Sequence, residues 1–256
     1  MMRQLALAGL LLLAAAPVAG QRPGQNSTFI HNVPYDGRFT YARIKYDAVG
    51  RGGGGFGGGF GGFRGGRIMW NHDFQTSDLN FPKILEALST MKVRTDESNV
   101  FTFDDPELFK FPVAYLCEVG YWAPNDAELL GVRKYLQKGG FLIVDDFGGY
   151  DWDNFATQVA RILPKAQFIR LDLKHPIFDS FFRITTLEYP QNYRGRGEFY
   201  GVFEDNDPTK RMMMIVNYNF DVSEFWEFSA TGFFSLDETN EAYKLGVNYV
   251  VYTLSH

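Results

Sequence analysis

Residues 111–149, FPVAYLCEVGYWAPNDAELLGVRKYLQKGGFLIVDDFGG, constrain this chain more than any other stretch. Residues 113–119 and 141–144 are short, almost unbroken apolar runs, as in strands covered on both faces of a parallel sheet. Parallel neighbours need a long crossover, and the intervening residues supply a helix. Asn125 caps it and Glu128 completes a capping box. Leu129, Val132 and Leu136 recur at helical spacing. Lys134 and Lys138 suit the last turn, and Gly139-Gly140 stop it. The unit therefore reads strand, loop, helix, strand, with a right-handed crossover.

The flanking sequence extends the same alternation. Residues 39–46, FTYARIKY, read as the first strand, its β-favouring residues alternating with charged ones. Residues 68–74 lead into a helix expected to begin near Pro82, with Ile84, Leu85, Leu88 and Met91 on one face. A strand at 100–103 and a capped turn at 104–107 precede the central unit. After it come a helix over 152–163 ended by Pro164, a strand at 167–171, and strands at 199–204 and 212–216 toward one sheet edge. A last helix over 237–254 docks the C-terminus. Strands alternating with helices predict a three-layer α/β/α, flavodoxin-like domain with a mainly parallel sheet. Ligands of such sheets sit beyond the carboxyl ends of the strands, here Asp47, residues 118–121 and residues 145–149.

Of the 256 residues, 45% are hydrophobic and 17% aromatic, enough to bury one α/β core. Residues 1–20 combine Arg3, an apolar run from Leu5 to Ala16 and small residues at Ala19-Gly20, which predicts a secretory signal peptide. The expected organisation is a polar tail at 21–38 and a single domain at 39–256, exported to the periplasm or beyond, with no membrane span after signal cleavage. Losing Arg3 leaves 24 basic against 30 acidic residues and moves the formal charge from −5 to −6. That balance opposes a nucleic-acid or anionic-membrane partner. Residues 50–66 hold twelve glycines in seventeen positions and read as a loop, since they have too little to bury. The GxGxxG match at 57–62 follows from that composition and does not indicate a nucleotide. Cys117 is the only cysteine, so no internal disulfide forms, and its place in an apolar run predicts a buried thiol.

Taken together, FTYARIKYD, DDPELFKFPVAYL, RKYLQKGGFLIVDDF, the HPIF of residues 175–178 and EAYKLGVNYVVYTL resemble the bacterial family grouped as domain of unknown function 4159, over residues 39–254. The resemblance implies a fold similar to class I glutamine amidotransferases and the trehalose-utilisation (ThuA-like) group. Amidotransferases carry a nucleophilic cysteine on the turn after the strand that corresponds to residues 141–144. Here that turn holds Asp145-Asp146-Phe147-Gly148-Gly149, so a glutaminase-type thiol mechanism is not expected. ThuA-like proteins also lack that cysteine. They carry a His-Pro-Ile and an acidic-aromatic segment, which His175-Pro176-Ile177 and Glu188-Tyr189 resemble.

The residues that can carry chemistry collect near the same strand ends. Asp145, Asp146, Asp151 and Asp153 place four carboxylates within nine residues. They can bind a polar ligand or a hard cation such as Mg²⁺ or Ca²⁺. Capping and turn formation account for them more simply, with Asp151 or Asp153 as the cap of the next helix. Successive strand residues face opposite ways, so Asp145 and Asp146 share a direction only if the strand has ended. Glu118 ends an apolar run and is expected in the cleft. His175 suits acid–base work or a helix entry. His72-Asp73, close after the glycine-rich loop, can join the same cleft but more simply faces solvent, and Tyr121, Trp122, Tyr150 and Trp152 can stack a sugar or other flat ligand but more simply pack in the core. GxSxG, HExxH, CxxC and GxxxxGK[ST] motifs are absent. The expectation is an amidotransferase-like domain without the nucleophile that acts as a binding module for a small polar ligand or an envelope protein. No cofactor and no metal are expected. Its candidate residues are Glu118, Asp145, Asp146, His175 and Glu188, with no catalytic residue assigned. The alternative is an acid–base enzyme acting on a carbohydrate or other small polar substrate, which needs Asp146, His175 or Glu188 in mutual reach.

Overall fold

A computed structural model describes residues 30–48, 69–189 and 195–256. The expected signal peptide, residues 21–29 of the tail and the glycine-rich loop lie outside the described residues. Strands β1 (Ala42–Ile44), β2 (Asn99–Phe101), β3 (Val113–Cys117), β4 (Phe141–Phe147), β5 (Ile169–Arg170), β6 (Glu198–Phe203) and β7 (Met212–Tyr218) form one sheet. Helices α1 (Thr76–Leu88), α2 (Asp126–Gln137), α3 (Asp151–Ile162), α4 (Val222–Glu227) and α5 (Leu236–Ser255) cover it. The order is β2-β1-β3-β4-β7-β6-β5. The first five of these are mutually parallel, while β6 runs antiparallel to both β7 and β5.

The central unit forms as its residues dictate. β3 and β4 pair from Val113–Phe141 to Cys117–Asp145, and all their residues are buried. The capping box on α2 is complete: Asn125 accepts from the amides of Ala127 and Glu128, and Glu128 accepts from the Asn125 amide. Two apolar layers result. Phe81 and Leu85 of α1, Trp226 of α4 and Leu245 and Tyr249 of α5 pack on one face of the sheet. Val132 and Leu136 of α2 and Phe155 and Val159 of α3 pack on the other. Among the described residues no helix is long and apolar enough to cross a membrane.

Three local expectations need correction. α1 starts at Thr76, with Pro82 inside it. Its first turn is already fixed by amides of Ser77 and Leu79 bonding the carbonyls of Asp73 and Gln75, so Pro82 removes one later donor without setting the start. β4 runs on to Phe147, so Asp145 and Asp146 are strand residues. The α3 cap is Tyr150, whose side chain makes no capping bond, and Asp151 and Asp153 sit in the first turn, where they suit the helix dipole. The tail is held as well. The Asn32 side chain bonds both the amide and the carbonyl of Val100, and the Asn99 side chain does the same to Val33, covering the outer edge of β2.

One glycine carries a test of this packing. A Cβ on Gly131 of α2 would stand 2.0 Å from the Phe103 carbonyl oxygen. Gly131→Ala would gain up to ~1 kcal/mol of helix propensity on an open surface. Against an immobile backbone it instead destabilises by about 1–3 kcal/mol, measurable as a lower urea midpoint.

Candidate ligand site at the carboxyl edge of the sheet

The strand ends that meet at this edge each finish in a backbone turn suited to polar residues. Glu118 follows β3 with φ 52°, and Asn219 follows β7 with φ 55°, both left-handed. Within β4 the pairing with β7 shifts between Val144 and Phe147, and Asp146 there has φ 55°. This bulge answers the alternation problem. A regular strand would send Asp145 and Asp146 to opposite faces, whereas the extra residue re-aims Asp146. The Glu118 amide then bonds the Asp146 carbonyl, and the Asp146 amide bonds that of Phe220, tying the three strand ends together.

Four side chains converge there. Ligand-type atoms of His72, Asp73, Asp146 and Asp221 all lie within 4.8 Å of one another. His72 Nδ1 hydrogen-bonds Asp146 Oδ2 and stands 4.0 Å from both Asp73 Oδ1 and Glu118 Oε1. The carboxylates of Asp73, Asp146 and Asp221 are buried, and the His72 side chain is 52% exposed at the mouth. This set is able to hold a divalent cation through carboxylate oxygens and one imidazole, or an organic ammonium through hydrogen bonds.

A buried polar network supports the cluster from below. Ser223 Oγ lies 2.5 Å from Asp73 Oδ2, 3.1 Å from Asp221 Oδ1 and 2.6 Å from the Tyr115 hydroxyl. Tyr115 in turn stands 2.8 Å from Asp145 Oδ2. Asp145 also accepts from Asn217 Nδ2 and from the amides of Val222 and Ser223. It is fully buried, so it holds the start of α4 and does not face the cleft. Arg43 lies beside this network, fully buried and paired through two nitrogens with Asp78. Its remaining donors reach the carbonyls of Trp70 and His72, Ser77 Oγ and Cys117 Sγ. The guanidinium thereby fixes the backbone that presents His72.

Burial and mutual repulsion move the protons of these groups. The hydrogen bond to Asp146, with the nearby Asp73 and Glu118 charges, outweighs burial and raises His72 to about 10. Burial, opposed by the Asn217 and Tyr115 bonds, raises Asp145 to about 7. Burial and then the Asp146 and Asp73 charges push Asp221 well above the carboxylate range. Glu227 rises to about 7 through burial and its hydrogen bond to Asp73. At neutral pH His72 is thus an imidazolium, and burial favours the protonated form of Asp221. Cys117 is 1% exposed, and burial holds its thiol well above the ordinary value despite Arg43, as an inert strand residue requires.

The expected site residues divide. Asp146 belongs to the cluster, Glu118 stands beside it at 4.0 Å from His72, and Asp145 supports it. His175 does not join them. It caps a short 3-10 turn by accepting from the Ile177 amide, and its ring packs on Phe203 and Tyr252. Phe203 pairs with Met212 at the start of β7, the sheet edge opposite the cleft, roughly 20 Å away at ~3.3 Å per residue. A His-Pro turn therefore serves here as a cap. Glu188 is exposed and pairs with Arg196 at 3.6 Å, outside the cluster. Of the two readings of His72-Asp73 the cleft holds: the pair supplies two of the four converging groups, because the segment before α1 folds over the ends of β3 and β4. Asp221, Ser223 and Glu227 are not among the residues expected from the sequence. The local signal was Asp221 with Glu224 three residues on, a helix-start pattern directly after an apolar strand.

A family model described as "Domain of unknown function (DUF4159)" matches residues 60–254. No curated protein matches the chain.

Proposed function

The chain belongs to the DUF4159 family, and on that premise we propose that it is an exported, amidotransferase-like domain without a nucleophilic cysteine that binds a small polar ligand bearing a cationic centre. The order β2-β1-β3-β4-β7 supports the flavodoxin-like reading, because it follows the 2-1-3-4-5 winding of such sheets. Their ligands bind where strand order reverses, here between β1 and β3, and Glu118 stands at the end of β3. The apolar run and flanks of residues 1–20 support export. The observation that carries the proposal is the convergence of His72, Asp73, Asp146 and Asp221 within 4.8 Å. Three carboxyl groups this close repel one another when ionised, and a bound cation relieves that repulsion as protons otherwise must.

Thermal unfolding of the purified protein tests this with Ca²⁺, Mg²⁺, Mn²⁺, choline and a diamine. A ligand at a hundred times its dissociation constant stabilises by about 2.7 kcal/mol and raises the midpoint by several degrees. Asp73→Asn and Asp221→Asn each abolish the shift while leaving a cooperative transition. A panel in which no cation shifts the wild-type midpoint overturns the reading.

A second reading, acid–base catalysis on a carbohydrate or another small polar substrate, is favoured by the His72–Asp146 hydrogen bond beside the raised Asp221 and Glu227. Titratable neighbours driven apart in pKa are how one site keeps an acid and a base together at neutral pH. In this reading His72 replaces His175, and turnover of a sugar lost in His72→Ala with binding retained identifies it.

A further inference from the structure

A second recess lies at the far edge of the sheet, beside β5 and the start of β6, and shares no residue with the carboxylate cleft. It encloses about 560 Å³, within the ~300–1,000 Å³ typical of small-molecule sites. Its charged lining is balanced: Arg170 and Arg196 against Glu188 and Glu198, with Leu171 and Phe199 as apolar wall. Arg170 pairs with Glu198 at 3.3 Å and Arg196 with Glu188 at 3.6 Å. Both pairs stand at the solvent boundary; the Arg196 and Glu188 side chains are 81% and 79% exposed. Exposed pairs of this kind contribute little to stability, so each partner is exchanged for a ligand charge at little loss. Glu198 is also held in place by the Tyr200 hydroxyl, which fixes one acceptor.

Two cations and two anions around one recess favour neither a simple anion nor a simple cation. A ligand carrying both charges satisfies all four. Arginine forks match a carboxylate in bidentate geometry, and glutamates accept from an ammonium group. We infer that this recess binds a small zwitterion with an apolar side chain, either a free apolar amino acid or a short apolar peptide.

Isothermal titration of the purified protein tests this with L-leucine and dileucine as zwitterions, leucinamide as the cation-only analogue and 4-methylpentanoate as the anion-only analogue. At least one zwitterion binds, and each single-charge analogue binds at least about tenfold more weakly, about 1.4 kcal/mol. Preference for leucine identifies the free amino acid, and preference for dileucine the peptide. Arg196→Gln weakens the zwitterion about tenfold and narrows its advantage over leucinamide; Glu188→Gln does the same relative to 4-methylpentanoate. Both side chains are exposed, so circular dichroism stays native in both variants. Absence of zwitterion binding at millimolar concentration overturns the inference. So does equal binding of the single-charge analogues, or indifference to both substitutions.

Discussion

Arg43→Met lowers the stability of the folded protein by about 3–5 kcal/mol, the range for a buried pair that loses one partner. Arg43 and Asp78 are both fully buried, and the guanidinium satisfies the Asp78 carboxylate through two nitrogens. Methionine keeps the apolar stem and removes the charge, leaving Asp78 ionised without a counter-charge or protonated without its donors. It also strips donors from the carbonyls of Trp70 and His72 and from Ser77. The double variant Arg43→Met/Asp78→Leu recovers much of the loss, because replacing both charges with apolar groups removes the desolvation term for each. Urea denaturation of wild type and the two variants is the measurement. An Arg43→Met midpoint within error of wild type contradicts the assignment. The same substitution loosens the His72 backbone, so ligand shifts at the cleft fall even in the double variant.

Stability falls as pH rises from about 4 to 10, an unusual direction for an acidic protein, and His72→Gln removes the alkaline part of that fall. Asp145 is held near 7 in the folded chain, against 3.8 for an ordinary aspartate. Between those values the folded state binds the extra proton, so its stabilisation is complete below about pH 4 and is lost as pH rises through 7. A gap of that size corresponds to on the order of 4 kcal/mol for a fully buried group. Asp221, raised by burial, adds loss of the same sign, and Glu227, only partly buried, adds less. His72 carries the trend further. Its pKa is raised from 6.5 to about 10, so its contribution is complete below 6.5 and disappears through 10. The lowered Asp36, near 2, acts below this window. Urea midpoints at pH 5, 7 and 9 therefore decline in order. A midpoint that rises from pH 5 to 7 contradicts these protonation states.

The central unit was legible because everything that specifies it is contiguous: two apolar runs, a capping box at Asn125 and Glu128, and a glycine stop. Glu118 and Asp146 were legible for a related reason, as charges that end apolar runs at the edge where such sheets bind ligands. What could not be read depends on packing between distant segments. Arg43 sits in a run that alternates like a half-exposed strand, yet it is fully buried because Asp78 meets it from α1. Asp221 and Ser223 reach the cleft because β7 inserts beside β4 and α4 starts immediately after it. His175 shows the converse: a residue type suited to catalysis, placed by a 3-10 turn packed on Phe203 and Tyr252 at the end of the sheet away from the cleft. The β4 bulge also lay beyond the pattern, since Asp146 occupies a left-handed backbone without any glycine to mark it.

The bond between Ser223 and Asp73 joins residues 150 positions apart. Loop closure over such a span is paid late in folding, after local helices and the β3–β4 crossover have formed. During synthesis, N-terminus first, Asp73 and Asp146 emerge long before Asp221 and Ser223 do. The immature chain therefore has a divided set of carboxylates and no cleft. The four converging groups meet only when the last quarter of the chain is in place, and any ligand that fits the cleft would act afterwards as a clamp on the completed fold.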